Sequence, residues 1–109
     1  MFDVIAIGEL LIDFLPSGMN ENGLPLFSAN PGGAPANVLA MLAKLGAKTA
    51  FVGKVGKDGF GQFLKATLLN AGIDTSNLLM STTEMTTLAF VHLDDKGDRS
   101  FSFYRKHCA

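Results

Sequence analysis

The chain opens on a nearly continuous apolar run, Phe2 to Gly8, broken only by Asp3. A short run of this kind reads as a strand buried on both faces of a parallel sheet, and it is expected to be the central first strand. Glu9 to Pro16 stays apolar but carries two acids. Asp13, set among Leu10, Leu11, Ile12, Phe14 and Leu15, is either a strand-edge residue facing water or a carboxylate held at a pocket, since a buried acid needs partners. From Ser17 to Gly23 the composition turns to Ser, Gly, Asn and Glu and predicts a loop. Leu24 to Ala29 predicts a short strand, with Pro25 marking it as an edge or an entry.

The period then changes to that of a helix. Asn30-Pro31-Gly32-Gly33-Ala34-Pro35-Ala36-Asn37 reads as a glycine-rich turn running into a helix over Ala34 to Lys44. Pro35 is tolerated in its first turn, and Val38, Met41, Leu42 and Leu45 recur on one face. Gly46 ends the helix, and Lys48 to Gly53 supplies a second strand, so the segment reads as a right-handed βαβ unit. The adjacent glycines and the unsatisfied first N–H groups of the helix suit an oxygen-rich ligand. The Asn37 amide adds donors and an acceptor.

A second glycine-rich passage, Lys54 to Gly61, has the spacing Gly56-x-x-Gly59-x-Gly61, which fits neither a dinucleotide fingerprint nor a P-loop. It reads instead as Asp58 capping a helix from Gly59 to Asn70, with Phe60, Phe63, Leu64 and Leu68 or Leu69 toward the sheet. Ala71 to Asp74 closes that helix, and Ser76 to Met80 predicts another short strand. Thr86 to Leu93 and Arg99 to Arg105 alternate on either side of Asp94 to Asp98, which predicts a hairpin serving as a lid or an edge sheet. His92 alternates within the hairpin as a strand-face residue. Tyr104 and Arg105, an aromatic followed by a guanidinium, read either as solvated residues or as a cover over an anionic or polar ligand.

Composition narrows the classes. The 109 residues make one domain at most, and 48% hydrophobic against 17% charged residues is apolar for so small a domain. One reading is that surface meant for a partner is exposed and the chain is incomplete. A net charge of −1 from scattered charges points to no nucleic acid and no anionic membrane as partner. Cys108 has no partner for an internal disulfide, and His107-Cys108 alone is a weak metal signal. Asp3 and Glu9 interrupt any secretory signal and no run spans a bilayer, so the expectation is a soluble, cytoplasmic protein.

Taken together, Gly8 with Asp13, Pro31 to Asn37, Leu45-Gly46, Val52 to Gly61 and Asp98 to Arg105 resemble the ribokinase-type (pfkB) carbohydrate kinases, and among them bacterial and plant fructokinases, in co-linear order over essentially the whole chain. Ribokinases proper carry a lysine where this chain has Ala34, which favours the fructokinase-like branch. The resemblance implies an α/β fold: the N-terminal part of a ribokinase-like three-layer α/β/α domain with a small β-sheet lid formed by segments near 13–30 and 86–105. It implies transfer of the ATP γ-phosphoryl group, with Mg2+, to a ketose hydroxyl, most readily that of fructose. By the same resemblance Asp13 and Asn37 bind sugar hydroxyls, Gly32 and Gly33 let the backbone approach the sugar, and Phe103 and Arg105 belong to the lid. Related 2-keto-3-deoxygluconate kinases use Tyr and Arg at this lid position for a carboxylate, which keeps that substrate open. The family's second signature, a Gly-Ala-Gly-Asp block carrying the anion hole and the general base, is absent from the sequence. The ATP-binding half and the base are therefore expected beyond residue 109, and the 109 residues alone are expected to be inactive. A non-catalytic sugar-binding or dimerising module is the alternative, and the lid strands can also pair two copies as a homodimer.

Overall fold

The computed structural model describes residues 1–93 and 96–104. In chain order the elements are β1 (Val4–Ile7), β2 (Leu11–Met19), β3 (Pro25–Gly32), α1 (Ala34–Lys44), β4 (Thr49–Gly56), α2 (Gly59–Asn70), β5 (Ile73–Asp74), β6 (Leu78–Ser81), β7 (Thr87–Leu93) and β8 (Arg99–Tyr104). They form two sheets. In the first, β1 lies parallel to β4 on one side, while β5 and β6 follow one another along its other side. In the second, the order is β3-β2-β7-β8, with β2 and β7 parallel and the outer pairs antiparallel.

Both helices pack on one face of the first sheet and share its core. Leu39 of α1 and Leu64 and Leu68 of α2 meet Phe51, Val55 and Ile73 there, with Leu10 and Ile12 entering from the start of β2. The described residues thus supply the sheet and one helical layer. The opposite sheet face carries Ile5 and Ile7, which remain 56% and 77% exposed, so β1 is covered on one face only. The sequence reading of β1 as a central strand buried on both sides is corrected accordingly: among the described residues it has a single strand neighbour.

Other boundaries move for physical reasons. β2 runs on through Ser17 and Gly18 to Met19, because β3 offers it a ladder whose register shifts between Pro16 and Met19. The expected loop shrinks to a turn held by Asn20, whose side-chain oxygen accepts from the N–H groups of Asn22 and Leu24 at 2.8 and 3.0 Å. Asn30, Pro31 and Gly32 belong to β3, opposite Asp13, Ile12 and Leu11, so the glycine-rich turn contracts to Gly33. β4 continues to Gly56, and Ile73–Asp74 is a strand rather than a helix closure.

Both helices keep their expected bounds, but α1 is rotated. Ala36 and Leu39 face the core, Leu42 is half-buried, and Val38, Met41 and Leu45 are exposed. The Pro35 ring lies against Gly8 at the end of β1, which turns the small-residue side of the helix to the sheet. In α2, Leu64 and Leu68 are buried while Phe60 and Phe63 stay partly exposed and Leu69 is exposed. Phe60 meets Phe14 of the second sheet edge-on, with ring centroids 5.6 Å apart.

Candidate functional site

The site begins where β2 changes sheets. Ile12 is buried in the shared core and Phe14 packs against it, so alternation along the strand sends Asp13 to the other face of the second sheet. Register then builds a row across all four strands: Asn30 of β3, Asp13 of β2, Ala89 of β7 and Phe103 of β8 stand opposite one another. Ala89 is fully buried, and Phe103 is stacked on Phe101 at 5.9 Å.

Gly32 neighbours this row. A Cβ there would run into the Asp13 carboxylate oxygen and would lie 2.8 Å from Leu11 Cδ1, so the bare Cα is what lets the carboxylate lie over the end of β3. Burial raises the Asp13 pKa above its ordinary value of 3.8. Among the described residues no hydrogen bond or ion pair reaches this carboxylate. A partly desolvated carboxyl group with unpaired oxygens can accept hydrogen bonds from a ligand's donors.

Gly33 makes the step from β3 into α1. Its φ of 116° is a conformation that L side chains rarely adopt, and a Cβ would meet the carbonyl oxygen of Glu9. The chain therefore turns within one residue, and Asn37 follows in the first helical turn, its N–H bonded to the Gly33 carbonyl oxygen at 3.3 Å. The Asn37 side chain is exposed. The Asn30 amide, on Asp13's own row, is engaged locally, donating to the Ser28 carbonyl and hydroxyl oxygens at 3.0 Å each.

The other face of the second sheet is different in kind. Phe90 stacks on Phe14 at 4.6 Å and receives Phe27 and Tyr104 edge-on, each at 5.6 Å. An apolar recess of about 650 Å³ lies between this face and α2, with Ala29, Phe60, Phe63, Met85 and Leu88 in its wall. Tyr104 belongs to this side and not to the Asp13 row, which removes it from the face that Phe103 shares with Asp13.

The first turn of α2 is filled by the Asp58 carboxylate, which accepts from the Gly61 N–H at 2.7 Å and puts negative charge where an anion would sit. Among the described residues no three His, Cys, Asp or Glu side chains gather as metal ligands.

The structure therefore brings Asp13, Gly32 and Phe103 to one face, with Gly33 and Asn37 directly after it in the chain; Arg105 lies outside the described residues, as do His107 and Cys108. The sequence reading places Asn30 at the head of the glycine-rich turn and does not single out Ala89, because cross-strand register carries no local signal. It also read Asp58 as a helix cap and nothing more. His92 is on the strand face as expected, 2.9 Å from the Ser102 hydroxyl.

The sequence profile described as "pfkB family carbohydrate kinase" matches residues 1–109. The chain is 45% identical over 108 residues to fructokinase-1 of Oryza sativa subsp. japonica, covering 97% of itself and 33% of that relative. In three dimensions it is similar to fructokinase from Xylella fastidiosa, with 44% identity, a TM-score of 0.87, and coverage of 94% of this chain and 32% of that one. The same Xylella protein with bound ATP matches at a TM-score of 0.84, over 94% of this chain and 30% of that one. Fructokinase from Vibrio cholerae O395 matches at 36% identity and a TM-score of 0.85, over 95% and 34% of the two chains. The chain spans about a third of the length of these relatives. No helix among the described residues is long and apolar enough to cross a membrane.

Proposed function

The chain belongs to the pfkB family of carbohydrate kinases, and from that premise we propose that it forms the acceptor side of a fructokinase. Its role is to hold a ketose, fructose first, while the ATP γ-phosphoryl group is transferred to a sugar hydroxyl. The single observation that carries this reading is the Asp13 carboxylate: half-buried, raised in pKa, without a partner among the described residues, and lying over Gly32. Sugar hydroxyls are the donors it lacks. Asn37 adds further polar contacts, Gly32 and Gly33 allow the backbone to come close, and Phe103 stands at the far end of the row; Arg105 is assigned to the lid by the family resemblance alone. In this reading the second sheet, over segments near 13–30 and 86–105, is the lid.

ATP supplies the phosphoryl group in this reaction, as the ATP-bound Xylella relative fits. In this proposal the residues that bind ATP and Mg2+ lie mostly outside this chain. What these residues do is orient the acceptor and exclude water around it, two of the main means by which phosphoryl transfer is accelerated. The proposal includes a domain that continues past Ala109 with the donor site and base, a cytoplasmic location, and self-association through the lid, whose edge strands β3 and β8 are unpaired on one side among the described residues.

The test is kinetic. The protein as its gene encodes it is expected to phosphorylate fructose with ATP, and to prefer fructose to 2-keto-3-deoxygluconate. The 109 residues alone are expected not to. Phosphorylation by the 109 residues would place the base inside them and overturn the division of labour proposed.

A further inference from the structure

We infer that Asp58 and Thr86 are positioning residues of the sugar site, forming a clasp that fixes the second sheet to the first; this rests on the fructokinase reading above. The two sheets are joined by three passages of chain: residues 8–10, Gly33, and residues 82–86. The first two touch one another, since a Cβ on Gly33 would strike the Glu9 carbonyl oxygen, and so act as one attachment. The third passage carries the β7–β8 hairpin, which contributes Ala89 and Phe103 to the Asp13 row.

The Asp58 carboxylate ties down the end of that third passage. Asp58 Oδ1 accepts from the Gly61 N–H and from the Thr86 hydroxyl, both at 2.7 Å, and Oδ2 accepts from the Thr86 N–H at 3.0 Å. The Thr86 hydroxyl oxygen in turn accepts from the Gly56 N–H at 3.0 Å, and Thr86 is 97% buried by its 3% exposure. The end of β4, the start of α2 and the entry to β7 therefore meet at two side chains. Lys54 and Glu84 pair beside them.

The clasp also accounts for the second glycine-rich passage. A Cβ on Gly56 would lie 2.5 Å from both Asp58 Oδ2 and the Thr86 nitrogen, and one on Gly61 would collide with the Gly56 carbonyl oxygen. The spacing that fits no nucleotide motif is the spacing needed to bring β4, α2 and β7 into contact. Charge-assisted bonds of this kind are stronger than neutral ones and hold geometry tightly. With the clasp intact, Ala89 and Phe103 keep their register distance from the first sheet while Asp13 keeps its own.

The experiment compares Thr86→Val, nearly isosteric but without the hydroxyl, with Thr86→Ser, which retains it. Both are made in the protein as its gene encodes it, with KM measured separately for fructose and ATP and amide exchange followed by mass spectrometry. Thr86→Val is expected to raise the fructose KM about tenfold while the ATP KM stays within about twofold, and Thr86→Ser is expected to restore it. An unchanged fructose KM, an equal rise in both KM values, or a serine variant as impaired as the valine would overturn the inference. If Thr86→Val does not fold, Asp58→Asn carries the same readouts. Should the wild-type protein not phosphorylate fructose, the kinase reading fails, and exchange alone judges the clasp: loss of protection centred on β7 and β8 supports it, and loss spread evenly through α1 overturns it.

Discussion

Asp13→Asn separates binding from stability, because the two should move in opposite directions. The substitution keeps the shape of the side chain and removes its charge. For binding, each hydrogen bond from a sugar hydroxyl to the carboxylate is worth about 1.5–3 kcal/mol, so the loss of one corresponds to a roughly 10- to 150-fold weaker fructose interaction. For stability the sign is reversed. Burial raises the folded-state pKa of Asp13 above 3.8, so the folded protein holds this proton more tightly than the unfolded chain. Stability is therefore lost as pH rises from the unfolded pKa through the folded one, and the deficit persists at neutral pH. An uncharged asparagine escapes it. Fructose kinetics with ATP saturating, paired with thermal unfolding at pH 7 and near pH 3, give both halves. The expected result is a large rise in fructose KM, an unchanged ATP KM, a higher Tm at pH 7, and little Tm difference near pH 3. A rise confined to the ATP KM, or a lower Tm at pH 7, would refute the assignment of Asp13 as an unpartnered acceptor for sugar.

Three further outcomes test other parts of the structure. Gly32→Ala puts a methyl group against the Asp13 carboxylate and Leu11; it should cost about 1–3 kcal/mol in denaturant unfolding and weaken fructose binding with it. Leu64→Ala empties a fully buried position between α2 and the first sheet, and a loss of about 2–5 kcal/mol in the same assay is expected. Burial pushes the Asp58 carboxyl up, but the bonds from Thr86, Gly61 and Phe60 outweigh it and hold the pKa below 3.8. Its stabilisation is thus present above the unfolded pKa and lost as pH falls through the folded one, so acid titration of Asp58→Asn should show a shallower loss of stability below about pH 4 than wild type.

Much of the local structure was legible because it depends on local chemistry. Asp58 three residues before Gly61 marks an N-cap, and Pro35 after Gly33 marks a helix start; both helices keep the bounds these residues imply. The facing of α1 was not legible, since apart from Asn37 and Lys44 the helix is apolar or small on every side and its rotation depends on distant contacts such as that of Pro35 with Gly8. The break between β1 and β2 is marked by Gly8 and Glu9, but that β2 joins a different sheet is set by its distant partners β3 and β7. Of the site, Asp13, Gly32, Gly33 and Asn37 could be singled out from residue type and resemblance. The row that sets Asn30, Ala89 and Phe103 beside Asp13 comes from pairings between residues 14 to 76 positions apart, and the tie from Asp58 to Thr86 spans 28, so no short window along the chain contains either.

The central claim is that fructose lies on the Asp13 face of the second sheet and not in the apolar recess behind it. A crystal structure of the protein with fructose tests this directly. A sugar hydroxyl is expected about 2.5–3.0 Å from an Asp13 carboxylate oxygen, with the ring close to the Gly32–Gly33 backbone. Fructose seated instead among Phe60, Phe63 and Met85, with Asp13 making no contact, would contradict it.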